Sequence, residues 1–172
     1  MDAQTKRIAD VSVRWMIKRD MPEVCEIENR SFDEPWSEKE FISCLAQRAN
    51  IGVVAESTRG AIYGFMIYEL CAGGLVLRNF AVAPEVRRTG VGRAMVERLV
   101  DKLSEQRRRW ITTEISEGNL PAQLFFSGCG FKATRSVAGL ISFQYVLPVP
   151  SGSCPDWQGV NRITEYDKRP LE

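Results

Sequence analysis

The sequence predicts an α/β fold, more narrowly an α+β arrangement, in which one mixed sheet carries helices on both faces. Three observations lead there. Stretches rich in β-branched and aromatic residues alternate with capped helix signals in the order β-α-α-β-β-β-α-β-α-β-β. Two of the middle stretches are separated only by a turn tripeptide, which makes them antiparallel neighbours. The apolar share, 44% of 172 residues, suffices for the core of a single domain.

The elements follow in order. "VSVRWMI" (11–17) reads as a strand from its β-branched and aromatic content. "RDMPEVCEIENRSF" opens a helix, with Asp20 placed as its cap and Glu23 three residues on. "PWSEKEFISCLAQ" repeats the signal, with Ser37 as cap and Glu40 completing the box. "IGVVAES" and "AIYGFMIYEL" are strands joined at "TRG", and "LVLRNFAVAP" is a further strand stopped by Pro84. A glycine-containing segment then opens a long helix, about 91–106, whose Val91, Met95, Leu99 and Leu103 form one apolar stripe. "RRR" at 107–109 closes it with cations suited to a helix C-terminus. "RWITTEI" is a strand, "PAQLFFSGCG" a short helix ended by glycine, and "FKATRSV" and "ISFQYVLP" the last strands. From residue 148 the texture turns polar and rich in Pro and Gly. Residues 1–147 are therefore expected to form the domain and 148–172 an extension. Its Trp157, Val160 and Ile163 are available to dock, but a loosely attached tail is the plainer reading.

Composition excludes a good deal. Lys and Arg number 23 against 22 acidic residues, so the basic excess of a nucleic-acid-binding surface is lacking and no nucleic-acid partner is expected. The N-terminal segment has no apolar core of signal-peptide length. No apolar run approaches the roughly 20 residues that span a bilayer. A soluble, cytoplasmic protein with no membrane partner is the expectation. Cys25, Cys44, Cys71, Cys129 and Cys154 form no CxxC pair and read as reduced thiols. Histidine is absent from the sequence. That removes Ser-His and Cys-His nucleophile pairs, His-ligated zinc and a histidine base, and no metal is expected. Proton transfer falls to Asp, Glu, Tyr, Cys, Lys or water.

The segment "RRTGVGR" (87–93) meets the start of the long helix, where unpaired amides and a partial positive charge gather. Gly90 and Gly92 carry no side chain to hold an anion off those amides, and Arg87, Arg88 and Arg93 add charge, which together suit a pyrophosphate. The lysine of a P-loop and the third glycine of a dinucleotide fingerprint are both lacking. On this segment alone, a solvated turn is an equal reading.

Its surroundings shift that balance. "NFAVAPEVRRTGVGRAMVERL" (79–99) resembles the acetyl-coenzyme A signature of the GNAT acetyltransferases, in which a strand ends in V-x-P and [QR]-x-x-G-x-[GA] opens the helix. Val82, Pro84, Arg87, Gly90 and Gly92 stand at those positions, and the element order up to about residue 147 fits the same family. The resemblance implies a twisted, mostly antiparallel sheet of about seven strands and binding of acetyl-coenzyme A. Its pyrophosphate would lie on Arg87, Arg88, Thr89, Gly90, Val91, Gly92 and Arg93, and its pantetheine arm along the main chain of Phe80, Ala81 and Val82. Asn119 stands where the family has an asparagine that contacts the cofactor.

The N-terminal half narrows the resemblance to the ribosomal-protein-alanine N-acetyltransferases. "IENRSFDEPWSEKEF" (27–41) is similar to their "IExxxFxxPWS" region, which implies a peptide groove walled by Phe32 and Trp36, with Glu28 able to face the substrate amine. Ordinary helix-to-helix packing is the alternative. Glu114 in "WITTEIS" is similar in position to their base in "LEVRxSN"; otherwise it is a carboxylate on a wet strand end. A carboxylate asks less of itself with an α-amine, pKa about 8, than with lysine at about 10.4.

Three departures bear on the reaction. Phe126 stands where the family has a tyrosine that protonates the leaving thiolate, and phenylalanine has no proton to give. Its ring is still expected beside the thioester, with water as the acid and Ser127 or Tyr145 as the alternatives. Ser116 replaces the family arginine, and "SVAGLIS" replaces a tyrosine-rich segment that helps hold the peptide. The lead expectation is acetyl transfer by direct attack of a protein or peptide N-terminal amine. A small amine or antibiotic as acceptor and a weakly catalytic acyl-coenzyme A sensor are the alternatives. The chain is expected to act as a monomer or homodimer.

Overall fold

The computed structural model describes residues 11–148, so most of the C-terminal extension, with Trp157, Val160 and Ile163, lies outside the described residues. The strands are β1 (Val11–Trp15), β2 (Asn50–Ser57), β3 (Ile62–Cys71), β4 (Gly73–Val82), β5 (Arg108–Ser116), β6 (Lys132–Val137) and β7 (Leu140–Val146). The helices are α1 (Met21–Asn29), α2 (Glu38–Leu45), α3 (Val91–Val100) and α4 (Leu120–Gly128).

The strands form one sheet in the order β1-β2-β3-β4-β5-β7-β6. Every neighbouring pair is antiparallel except β4 and β5, which run parallel. That exception follows from the connection, since a parallel partner needs a crossover and α3 supplies it. Alternation along the central strands sends successive residues to opposite faces. Val53, Met66, Leu75 and Leu77 pack with Met95 and Leu99 of α3 and Phe126 of α4. Val54, Phe65 and Ile67 pack with Val24 and Ile27 of α1 and Phe41 of α2. The sheet thus has a helix pair on each face.

β4 and β5 pair only as far as Leu77 opposite Thr113. At that level the β3–β4 register slips: Tyr68 faces Leu77, Ile67 faces Asn79, and Arg78 faces no residue of β3. Such a bulge bends a strand and increases its twist. Beyond it β4 stays with β3 as far as Val82 opposite Gly64, while β5 stays with β7 as far as Ser116 opposite Leu140. The sheet forks, leaving one edge of β4 unpaired from residue 78 onward.

Local expectations fail where long-range partners outbid local ones. Asp20 does not cap α1 with its side chain. Its carboxylate instead takes two bonds from Arg14, at 2.7 and 2.9 Å, and one from the Ile17 amide at 2.9 Å. Glu23 accepts from the Ile62 amide across the fold. The third helix ends at Val100 and not near 106. Lys102 and Leu103 bond back to Leu99 and Val100 in tight turns, and Ser104 exchanges main-chain bonds with Arg108. Leu103 still reaches the core, at 9% exposure. Arg108 and Arg109 therefore open β5 and do not close a helix.

Candidate active site

The first wall of the site is the β4–α3 connection. After the turn Pro84–Val86, Arg88 adopts φ +64° and Gly90, the residue capping α3, φ +100°. The first α3 bond that returns to the cap is Ala94 N–H to Gly90 O, which leaves the amides of Val91, Gly92 and Arg93 without a main-chain acceptor, as at any helix start. Thr89 Oγ1 braces the turn by donating to Val86 O at 2.6 Å. The two glycines have different reasons. Gly90 supplies the left-handed conformation, and open space surrounds its missing Cβ. A Cβ on Gly92 would stand 3.1 Å from the Phe125 ring and 3.4 Å from Val82, so this glycine serves close packing behind the turn.

The arginines divide too. Arg87 Nε donates to Val82 O at 2.9 Å, and its terminal nitrogen donates to Ser31 Oγ at 2.9 Å. Its guanidinium is thus tied into the protein. Arg93 reaches Gly128 O at 3.3 Å. Arg88 is exposed and makes no hydrogen bond or ion pair among the described residues, so its guanidinium is wholly uncommitted.

Inside the fork, Phe80 stacks on Phe125 with centroids 5.6 Å apart and meets Phe126 edge-on at 5.6 Å. Phe126 packs further against Phe131 and is 4% exposed. It sits in an aromatic cluster lining the α4 side. Asn119 caps α4, its Oδ1 accepting from Ala122 N at 3.1 Å, and so stands at the mouth between β5 and α4. Ala81 is buried on the α1–α2 side, and Val82 O is already occupied by Arg87.

On the opposite face, Glu114 lies beside the end of the fork. Its neighbours Thr113 and Ile115 are buried and it is exposed, paired across to Ser142 of β7. The loop from α1 to α2 forms the second wall. Trp36 packs edge-on against Phe41, which packs against Phe65, with centroids 5.4 and 5.5 Å apart. Phe32 is partly buried on the same cluster. Ser37 caps α2: Glu40 accepts from Ser37 N at 2.6 Å, closing the box.

Glu28 is not presented to the groove. It is 1% exposed; one carboxylate oxygen accepts from Trp36 N at 2.9 Å and the other from Asn79 Nδ2 at 3.1 Å. Burial pushes its pKa up, only partly offset by these two donors. Asn79, on β4, is the residue the sequence reading passed over. Its signal was a lone amide inside the apolar run "LVLRNFAV". Cys129 is no nucleophile candidate, because burial raises its thiol pKa.

Residues 21–131 match the family model described as Acetyltransferase (GNAT) family. The chain belongs to the GNAT acetyltransferases. The [ribosomal protein bS18]-alanine N-acetyltransferase of Escherichia coli strain K12 is 31% identical to it over 112 residues, covering 65% of this chain and 74% of that protein. Among solved structures, the ribosomal-protein-S18-alanine N-acetyltransferase from Escherichia coli superposes with TM-score 0.71 at 23% identity, over 84% of this chain and 99% of that one. Arabidopsis thaliana NAA60 in complex with acetyl-CoA gives 0.66 at 14% identity, over 79% and 98%. These likenesses carry the fold. The family makes this acetyltransferase an acetyl-coenzyme A-dependent enzyme that acylates an amine. The residues present fit that cosubstrate: three free amides at a helix start, an uncommitted arginine beside them and an unpaired strand edge with an aromatic lining.

Proposed function

We propose that this acetyltransferase modifies the α-amine of a protein or peptide N-terminus, and that residues 1–147 are its catalytic domain. The observation that carries the reading is the position of Glu114: exposed, at the end of the fork, on the face that also carries the Phe32–Trp36 wall. The bS18-alanine enzyme of Escherichia coli, whose name states an alanine of a ribosomal protein as the acceptor, supports a protein substrate.

In this mechanism, the amides of Val91, Gly92 and Arg93 and the Arg88 guanidinium would hold the pyrophosphate, with Thr89 shaping the turn and Gly90 allowing it. The unpaired edge at Phe80–Val82, less the Val82 carbonyl that Arg87 already takes, would orient the arm, and Asn119 would border it. Bound acetyl-coenzyme A supplies an acyl thioester open to direct attack. Glu114 accepts the amine proton through a water, a task made feasible by the modest basicity of an α-amine, about 8 against about 10.4 for lysine. Phe126 has no proton to give, so protonation of the departing thiolate would fall to water.

The test is thiol release from acetyl-coenzyme A with Ala- and Ser-starting peptides and with small amines. Release with the peptides, largely lost in Glu114→Gln, is expected. Turnover confined to small amines would replace the acceptor class. Tight cofactor binding with no acceptor-dependent release would favour the sensor reading, to which the Phe126 position lends its support.

A further inference from the structure

We infer that Glu28 and Asn79 form a positioning pair that fixes the Phe32–Trp36 wall to the cofactor strand and so sets where an acceptor peptide lies relative to Glu114. The inference rests on the peptide reading of the acceptor. Glu28 joins two distant points of the chain: the Trp36 amide, eight residues on, and the Asn79 side chain, fifty-one residues on. It has no ion-pair partner among the described residues. A buried carboxylate without a cation is costly to keep. Local helix capping does not explain it, because Ser37 and Glu40 already close the α2 box without Glu28. What Glu28 uniquely fixes is the main chain at Trp36.

Asn79 gives that link its meaning. It is the first residue after the Arg78 bulge, where β4 has parted from β5, and it directly precedes Phe80, Ala81 and Val82. The wall of the groove and one arm of the fork are therefore held by one pair of side chains. The other end of the same loop is tied in the same way, since Arg87 bridges Ser31 Oγ to Val82 O. Residues 31–36 are thus anchored to β4 at both ends, once just before Phe80 and once at Val82 O, the last residue of the strand edge expected to carry the arm. With both oxygens in use and 1% exposure, Glu28 acts through Trp36 and Asn79 and does not touch the acceptor.

The experiment compares wild type, Glu28→Ala, Glu28→Gln and Asn79→Ala in steady-state kinetics with an Ala-starting peptide. Acetyl-coenzyme A affinity by calorimetry and amide exchange at Trp36 by NMR are measured on the same proteins. The two alanine variants should raise the peptide KM about 10-fold, leave kcat within about 3-fold and leave cofactor affinity unchanged. The Trp36 amide should lose its protection in Glu28→Ala. Glu28→Gln keeps an oxygen for that amide and should restore most of the KM. If glutamine is as damaging as alanine, the negative charge itself meets the amine and the positioning role is overturned. A fall in kcat at unchanged KM overturns it equally, by placing Glu28 in the chemistry. Should Glu28→Ala fail to fold, Asn79→Ala breaks the same link from its other end. Wild type that releases no thiol with any peptide sinks the acceptor reading, and this inference with it.

Discussion

On the α3 side of the fork the groups offered to a ligand are main chain: helix-start amides and the free edge of β4. On the α1–α2 side they are side chains, namely Glu114, Phe32 and Trp36, held in place by other side chains. A main-chain site depends on backbone conformation, so it leaves a spaced pattern of glycine, proline and arginine in the sequence. A side-chain site depends on which distant residues meet, and it tolerates exchange one residue at a time. This contrast explains why the cofactor side leaves a readable motif and the acceptor side does not. It also says that the two sides should fail separately when mutated.

The largest effect should come from Glu114→Gln. It should lower kcat by about 100-fold or more with cofactor affinity untouched, read by stopped thiol-release assays and calorimetry. A matching loss of cofactor affinity would break the comparison. Next in size, Gly90→Val forces a β-branched residue to φ +100° and should weaken acetyl-coenzyme A binding about 10-fold, with the acceptor KM unchanged when cofactor is saturating. Gly92→Ala is milder and acts elsewhere. Its methyl crowds the Phe125 ring, so thermal denaturation should show a loss of about 1 kcal/mol with only a small change in cofactor affinity.

The smallest effect separates two buried carboxylates. Asp20 is paired with Arg14, which depresses its pKa below 3.8. Its contribution to stability is present above that value and is lost as pH falls through the depressed one. Glu28 has the opposite sign. Burial raises it above 4.5, so its contribution is full below 4.5 and is lost as pH rises through the raised value. Denaturation midpoints measured against pH should therefore shift in favour of Glu28→Gln relative to wild type above pH 4.5. Arg14→Ala should make the acid-side drop of wild type shallower. A Glu28→Gln difference that stays flat with pH would contradict the uncompensated burial of Glu28.

Much of the fold was legible because strand composition and the Ser37–Glu40 box depend on near neighbours. The fork was not, because it arises from a register slip at Arg78 that no local pattern encodes. The Asp20–Glu23 cap was legible and misleading. Both carboxylates found partners elsewhere, Arg14 and Ile17 for Asp20 and the Ile62 amide for Glu23. The glycine pair was legible in position but only half in reason, since Gly92 answers to Phe125. Glu28 stood out in sequence; its burial against Asn79 depends on a contact across fifty-one residues.

The most direct measurement uses one peptide with a free N-terminal alanine and an internal lysine, incubated with the enzyme and acetyl-coenzyme A and sequenced by fragmentation mass spectrometry. A single acetyl group on the α-amine, strongly reduced by Glu114→Gln, is the expected result. Acetylation of the lysine, or α-amine acetylation that persists undiminished in Glu114→Gln, would contradict it.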